Sequence, residues 1–519
     1  MADEMVRKAQ QLYNATYRGV AGLPVLEENG RTSWDVMYAL TRALQYELGI
    51  APLSNNFGPA TLAALQAKYP VVDRNNGTVN INRLVQTALY CKGYDGGDLG
   101  GVYDDRVAAA VGSLKQNMGV AGAFPGDGVT PKVFKALLTM DAYVTANGGS
   151  DTVRSIQQWL NGRYVDRRNF FVVPCDGHYS RDVQKALLFA IQYQLGMSDD
   201  VATGNFGPAT KEGLKKNTVF VGSSGTFVLL FSAAMIFNKR TGVSFRDTFT
   251  YELSQAVRGF QDFVKLPVTG TGDFPTWASL LVSSGDTTRR GAAFDCVTEI
   301  TPARADALRE AGYVVAGRYL TNAPGSSWDK KIQPGELEVI RSKGLRVFPI
   351  YQTYGGSVSY FNENQGLADA QAAFDAARGY GFKRDTWIYF AVDFDVLDHQ
   401  VTDAILPHFR GVKRRMDELG GGADGTDGTD GAYYRIGVYG PRNACSRVSA
   451  AGLATSAFVA DMSTGFSGNL GYPLPENWAF DQIATVTVGS GDGKIEIDNN
   501  ILSGLDMGQN EFDEIEGGR

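Results

Sequence analysis

The sequence predicts a multidomain protein, all-α and built of three-helix-bundle repeats in its first half, with an α/β barrel in its second. Three observations carry this expectation. A chain of 519 residues is too long for one core, and its length alone suggests three or four domains. The segment LQYELGIAPLSNNFGPATLAAL at 44–65 recurs as IQYQLGMSDDVATGNFGPATKEGL at 191–214. Past Gly285 the pattern changes to short β-branched and aromatic runs alternating with helical ones, the signature of βα units.

Bulk properties exclude several classes of function. Hydrophobic residues at 44% and charged residues at 20% are those of ordinary folded domains. A net charge of -7, without a long Lys/Arg run, leaves nucleic acid out as a partner. No stretch reaches the length of a membrane span, so no membrane insertion is expected. The opening MADEMVRKAQQLYNATYRG lacks the order of a secretion signal, so the expectation is a cytoplasmic chain until release or a non-classical export route takes it to the wall. Cys91, Cys175, Cys296 and Cys445 are far apart and read as buried free thiols. The histidines His178, His399 and His408 show no metal spacing; the latter two read as exposed polar residues on one helix, and neither metal nor cofactor is expected.

Weaker copies of the repeat stand at 114–138 and 260–281, giving a period of about 70 residues. Each copy has an amphipathic helix ending near a glycine (Gly49, Gly119, Gly196), a turn rich in Gly, Asn and Asp, and a second helix opened by a Pro/Thr cap. Upstream segments such as 81–94 and 153–165 have apolar residues at three and four spacing and supply a further helix per unit. The expected repeats are 1–72, 73–145, 146–217 and 218–286. The pattern helix, LQ-x-x-LG, turn, G-x-FGPAT, helix resembles the peptidoglycan-binding domain family found beside many wall hydrolases. Phe57, Gly58, Pro59 and Thr61 carry the resemblance, as do Phe206, Gly207, Pro208 and Thr210. It spans about residues 30–285 and implies adhesion to peptidoglycan or a related cell-wall glycan.

Eight strands are expected in the second domain, 290–508: 292–297, 313–320, 346–353, 387–395, 434–440, 456–463, 478–488 and 494–501. Helical segments fit the first five gaps, whereas GSGDG in the last gap reads as a hairpin turn. This is a TIM-like barrel of about five βα units plus three further strands. FDC near its start, GRYL, VDFD and IDNN resemble the family-25 glycoside hydrolases, the Chalaropsis-type lysozymes. The actinobacterial glycoside-hydrolase-like domain of uncharacterised activity is more similar still.

Strand alternation in WIYFAVDFD places Trp387, Tyr389, Ala391, Asp393 and Asp395 on one inward face. Two carboxylates then stand roughly 6.5–7 Å apart at Cα at a barrel mouth, where like charge raises a pKa and creates a general acid. Asp295, at the end of the first strand, and Asp498, on the last, are expected to converge on them as catalytic residues; two carboxylates are the minimum for glycosidic cleavage. Tyr319, Tyr351, Gln352, Tyr389, Tyr439, Trp478 and Gln482 are the candidate substrate-binding residues, offering ring faces and amides to sugars. Asp461 and Asp481 on later strands are further candidates for the acidic ring. The family resemblance assigns Asp295, Asp393 and Asp498 to that ring, and puts Asp395 where family-25 enzymes carry the Glu thought to act as acid; Glu496 is an inward-facing replacement.

The Asp spacing in GGGADGTDGTDG (420–431) lacks the bidentate Glu of a calcium loop and reads as a flexible surface insertion; the acidic tail 509–519 reads as solvated. The leading functional expectation is muramidase-like hydrolysis of peptidoglycan, the repeats holding the enzyme on its insoluble substrate. Its rivals are a non-catalytic wall-binding scaffold and a lysin carried by a phage or contractile injection particle.

Overall fold

The computed structural model describes residues 2–420 and 433–513. The chain forms two compact units, Met1–Asn205 and Phe206–Arg519. The first holds α1 (Glu4–Thr16), α2 (Trp34–Leu48), α3 (Pro59–Lys68), α4 (Val79–Cys91), α5 (Asp105–Met118), α6 (Pro131–Leu137), α7 (Asp151–Tyr164) and α8 (Arg181–Gln194). Side-chain oxygens of Asp3, Ser33, Thr78, Asp104, Ser150 and Ser180 accept first-turn N–H groups and start six of these helices. Gly49 and Gly119 end α2 and α5 at φ +79° and +74°, the left-handed region where only glycine carries no Cβ penalty.

The repeats of this unit do not close on themselves. Leu40, Leu44, Leu84, Val85, Leu114 and Phe134 belong to one continuous core running from Tyr13 to Cys175. Helices of 7–15 residues bury too little surface for each trio to stand alone, so neighbouring repeats share an interior.

A buried glutamine recurs in this architecture. Gln45, Gln86, Gln157 and Gln192 accept, through Oε1, the loop N–H groups of Ser54, Gly101, Gly177 and Gly204. Their Nε2 groups donate to the carbonyls of Asn56, Val102, His178 and Asn205. One amide thus pairs a loop donor and a loop acceptor at once. Thr61 of the FGPAT motif is 3% exposed and accepts from Gln45 at 3.2 Å, Gly58 caps α3 and Pro59 opens it, so these motif residues shape the turn.

The second unit begins with α9 (Pro208–Lys215), α10 (Thr226–Phe237), α11 (Tyr251–Phe263) and α12 (Phe274–Leu281). Helix α9, expected to end the repeat at 146–217, therefore belongs to the same compact unit as the barrel. Gln261 of α11 repeats the clasp on Gly270 and Thr271.

A closed eight-stranded barrel follows, in the order β1 (Ala293–Asp295), β2 (Val315–Tyr319), β3 (Arg346–Tyr351), β4 (Trp387–Ala391), β5 (Arg435–Gly440), β6 (Ser456–Val459), β7 (Trp478–Val488) and β8 (Ile495–Leu502). Strands β1–β7 run parallel, and β8 closes the sheet antiparallel to both β7 and β1. Between consecutive strands up to β6 lie α13 (Pro302–Glu310), α14 (Glu336–Ser342), α15 (Glu363–Gly379), α16 (Asp398–Gln400) with α17 (Leu406–Gly420), and α18 (Arg442–Ala450). The mouth is the end where β1–β7 finish and β8 starts. Phe348, Tyr389, Phe458 and Phe480 fill the interior, Phe348 stacking on Phe480 at 3.9 Å.

His408 is corrected from exposed to buried. It is 2% exposed, and its Nε2 lies 2.9 Å from Asp369 Oδ2 on α15. Cys175, Cys296 and Cys445 are buried free thiols, and Cys91 is half-buried and free. Residues 421–432, with nearly all of the Asp-rich insertion, and 514–519 of the acidic tail lie outside the described residues. Among the described residues no helix is long and apolar enough to cross a membrane, and no His/Cys/Asp/Glu group is placed to hold a metal ion.

Candidate functional site

Asp295 ends β1 and stands opposite Asp498 in the antiparallel register with β8. Across the parallel register it faces Gly317, where an added Cβ would lie 2.8 Å from Asp295 Cβ and 2.5 Å from Phe348 Cζ. Glycine at 317 gives the carboxyl its room. Alternation on β8 turns Asp498 and Asn500 to the same side, and Asn500 Nδ2 donates to Asp295 Oδ1 at 3.0 Å.

Gln482 of β7 joins the two acids. Its Nε2 donates to Asp295 Oδ1 at 2.9 Å and to Asp498 Oδ2 at 3.4 Å, while Tyr439 Oη donates to its Oε1 at 3.1 Å and fixes the amide orientation. Thr485 Oγ1 donates to Asp498 Oδ1 at 2.6 Å. Asp295 is 2% exposed; burial, then the Asp498 charge, push it up to about 7 against the two amide hydrogen bonds. Asp498 is half-buried and also raised, by burial and by the Glu496 and Asp393 charges, with Thr485 opposing.

Asp393 enters from the loop after β4. It is exposed, its Oδ2 accepts from Gln352 Nε2 at 2.8 Å, and its N–H donates to Gly355 O at 3.0 Å. On the other side of Gln352, Oε1 accepts from Lys330 Nζ at 2.9 Å. That ammonium also lies 4.4 Å over the Tyr319 ring, and burial pushes it down to about 8 with Asp393 opposing. The mouth therefore gathers Asp295, Asp393, Asp498, Tyr319, Gln352, Tyr439 and Gln482 from the sequence candidates, with Glu496 exposed at the start of β8.

Other candidates are placed elsewhere. Strand β4 stops at Ala391, and Val396 N–H bonds Phe394 O at 2.8 Å, turning the chain between the two acids expected to be neighbours. Asp395 leaves the cluster and accepts from Ser467 N–H at 2.6 Å and Ser467 Oγ at 3.3 Å. Tyr351 lies outside the barrel, its hydroxyl 3.4 Å from Asp369 of α15 and its ring against Phe390. Tyr389 does point inward, but it plugs the interior and bonds Ser456 and Asp506, away from the mouth. Trp478 begins β7 at the opposite end of the barrel, its ring 6.3 Å from that of Phe263 on α11. Asp461 and Asp481 are excluded from the ring too. Arg442 grips Asp461 at 2.7 and 2.6 Å, and burial followed by the Asp461 charge holds Asp481 far above the carboxylate range.

Three residues of the mouth, Lys330, Thr485 and Asn500, are not among the sequence candidates. Alternation from Asp498 places Asn500 on the inner face and was signal enough. Thr485 sits past a bulge between Gln482 and Ala484 that breaks the alternation of β7, and Lys330 lies in an irregular loop whose sequence carries no period.

Comparison with known proteins gives two family matches. The FadG/YbfG, PGDB-like domain matches residues 1–89 and 146–281, and the Rv2525c-like, glycoside hydrolase-like domain matches 306–502. The uncharacterised protein FadG of Bacillus subtilis (strain 168) is 53% identical over 512 residues, covering 98% of this chain and 86% of FadG. The uncharacterised protein YbfG of the same organism is 45% identical over 518 residues, covering 98% of this chain and 68% of YbfG. Among solved structures, the Mycobacterium tuberculosis Tat-secreted protein Rv2525c, in complex with HEPES, aligns with 43% of this chain and 99% of its own, at 22% identity and a TM-score of 0.34.

Proposed function

We propose that this chain, which belongs to the FadG and YbfG family, is a glycan-active protein whose barrel mouth cleaves glycosidic bonds of cell-wall glycan by carboxylate acid–base chemistry. The observation that carries this reading is the proton-holding pair Asp295–Asp498 beside the exposed carboxylate of Asp393. A glycosidic oxygen leaves only when protonated, and the developing positive charge on the sugar needs a carboxylate close by. Asp295 is sealed under Gln482 and Asn500, so it acts through its partner. Asp498, half-buried and reached from the mouth, hands over the proton, and Asp393 faces the reacting carbon or its water. Burial and the Asp498 charge favour the protonated form of Asp295, and burial with the Glu496 and Asp393 charges favours that of Asp498. The glycoside hydrolase-like match supports the reaction class. The FGPAT repeats, through their resemblance to peptidoglycan-binding domains, support the wall as substrate and a tethering role for the helical region.

Turbidity of purified bacterial walls and release of soluble sugars, followed from pH 4 to 8, test the proposal. Turnover is expected to fall as pH rises and Asp498, raised above the ordinary carboxylate range, loses its proton. Asp498→Asn and Asp393→Asn are each expected to lower turnover by roughly 10²–10⁴-fold while wall pelleting persists. Walls left turbid by the parent protein at every pH, with no sugar released, reject hydrolysis. The second reading is a wall-binding scaffold, favoured by the Asp395–Ser467 contact, which removes the carboxylate at the position where family-25 enzymes carry their acid. Such a scaffold pellets with walls and has no turnover for either Asn variant to reduce.

A further inference from the structure

Two aromatic side chains of the barrel are exposed among the described residues, Trp328 at 68% and Tyr354 at 58%. Both stand at the mouth, on the loops following β2 and β3. Leaving a tryptophan ring in water forgoes a large burial gain, and exposed rings beside a polar pit are the usual form of a sugar-stacking surface.

These loops are held in place. Asn322 Oδ1 accepts the N–H groups of Lys330 and Lys331 at 2.9 and 3.0 Å, its Nδ2 donates to Asp329 at 2.8 Å, and Ser326 Oγ accepts Trp328 N–H at 3.0 Å. Tyr354 Oη donates to Pro324 O, joining the two loops, and Lys330 joins them again through Gln352 to Asp393. Gly355, next to Tyr354, accepts the Asp393 N–H, and a Cβ there would lie 2.9 Å from Ala391 O. The backbones carrying both rings are thus tied to the reacting carboxylate. Charge restricts the occupant further: Asp393, Glu496 and Asp498 at the mouth outnumber Lys330 and repel polyanions.

We infer that Trp328 and Tyr354 are stacking platforms that select an extended, uncharged amino-sugar chain, binding rings beyond the one at the cleaved bond. The inference rests on the mouth being a glycan site. Calorimetric binding of N-acetylglucosamine trimer and octamer to the full chain carrying Asp498→Asn tests it, with Trp328→Ala and Tyr354→Ala added singly and Tyr354→Phe as the ring-preserving control. The octamer is expected to bind more tightly than the trimer. Each Ala change should weaken octamer binding about tenfold and trimer binding less, with Tyr354→Phe close to its parent. Octamer binding that survives both Ala changes overturns the platforms while leaving the glycan site standing. Equal affinity for the two lengths, or tighter binding of a uronic-acid octamer, overturns the extended or the uncharged character. No binding of either oligomer, with parent protein that also leaves walls intact, overturns the glycan site and the platforms together.

Discussion

Gln482 touches Asp295 and Asp498 with one nitrogen, and Tyr439 decides which end of its amide faces them. The amide donates to the carboxyls without adding charge, so burial still dominates and Asp295 stays near 7. Unfolded, this carboxyl has an ordinary value of 3.8, so between about pH 4 and 7 the folded chain keeps a proton that the unfolded chain has released. Stability contributed by this group is therefore greatest in acid, is lost as pH rises through that window, and is fully lost above it. Asp295→Asn retains the acceptor for Gln482 and Asn500 and removes the charge. Urea unfolding is expected to find it more stable than the parent by up to a few kcal/mol at pH 8 and equal to it at pH 4. A gain of the same size at both pH values would place the titration elsewhere. Asp295 was legible as an acid at a strand end and Asp498 as one within the last strand, both facing the lumen. Asp395 was not, because alternation was extended past Ala391 into a loop where the chain turns.

The clasped loop is the working element of the helical region. In Leu44-Gln45, Val85-Gln86, Ile156-Gln157, Ile191-Gln192 and Phe260-Gln261 an apolar residue precedes the glutamine, whose amide reaches a loop nine to twenty-one residues further on. Removing one amide takes a partner from a loop donor and from a loop acceptor at once. Gln261→Ala is expected to cost about 2–4 kcal/mol in denaturant unfolding, through the unpaired Gly270 N–H, the lost donor to the Thr271 carbonyl and lost packing. An effect below about 0.5 kcal/mol, the level of an ordinary surface change, would mean the loop holds without the clasp. The LQ of the repeat could be read as letters, but its role could not, since helical periodicity says which side chains face inward and not which distant backbone groups meet them. The strands of the barrel were legible for a simpler reason: β-branched and aromatic runs between helical segments have few other uses.

Across the second unit, the acids displaced from the mouth do a different job. Asp461 is fully buried under Arg442, whose guanidinium also donates to Ser283 O at 2.9 Å, and Ser283 Oγ returns a bond to Asp461 O at 2.7 Å. Arg240 of the helical segment reaches Glu476 before β7 at 2.6 Å. The last helical repeat and the barrel are thereby joined by the hydrogen bonds of Ser283 to a buried ion pair of the barrel and by the more exposed Arg240–Glu476 pair. Arg442→Ala strands the Asp461 charge and is expected to cost about 3–5 kcal/mol. Hydrogen exchange should show protection lost in α12 and β6 while α4 and α5 keep theirs. Unchanged protection in α12 would show that the ion pair does not hold the joint.

Local pattern by itself determined the repeated helices, the change to βα alternation near 285 and the presence of acids at strand ends, because each depends on neighbours within one turn or one strand. Tertiary structure decided which of those acids meet. Only barrel closure sets Asp295 against Asp498, only the turn at Phe394 sends Asp395 to Ser467, and only the packing of the last repeat claims Asp461 for a joint. The physical reason is range: the charge on a carboxyl is written in the chain, but its pKa and its partners are set by groups up to about two hundred residues away.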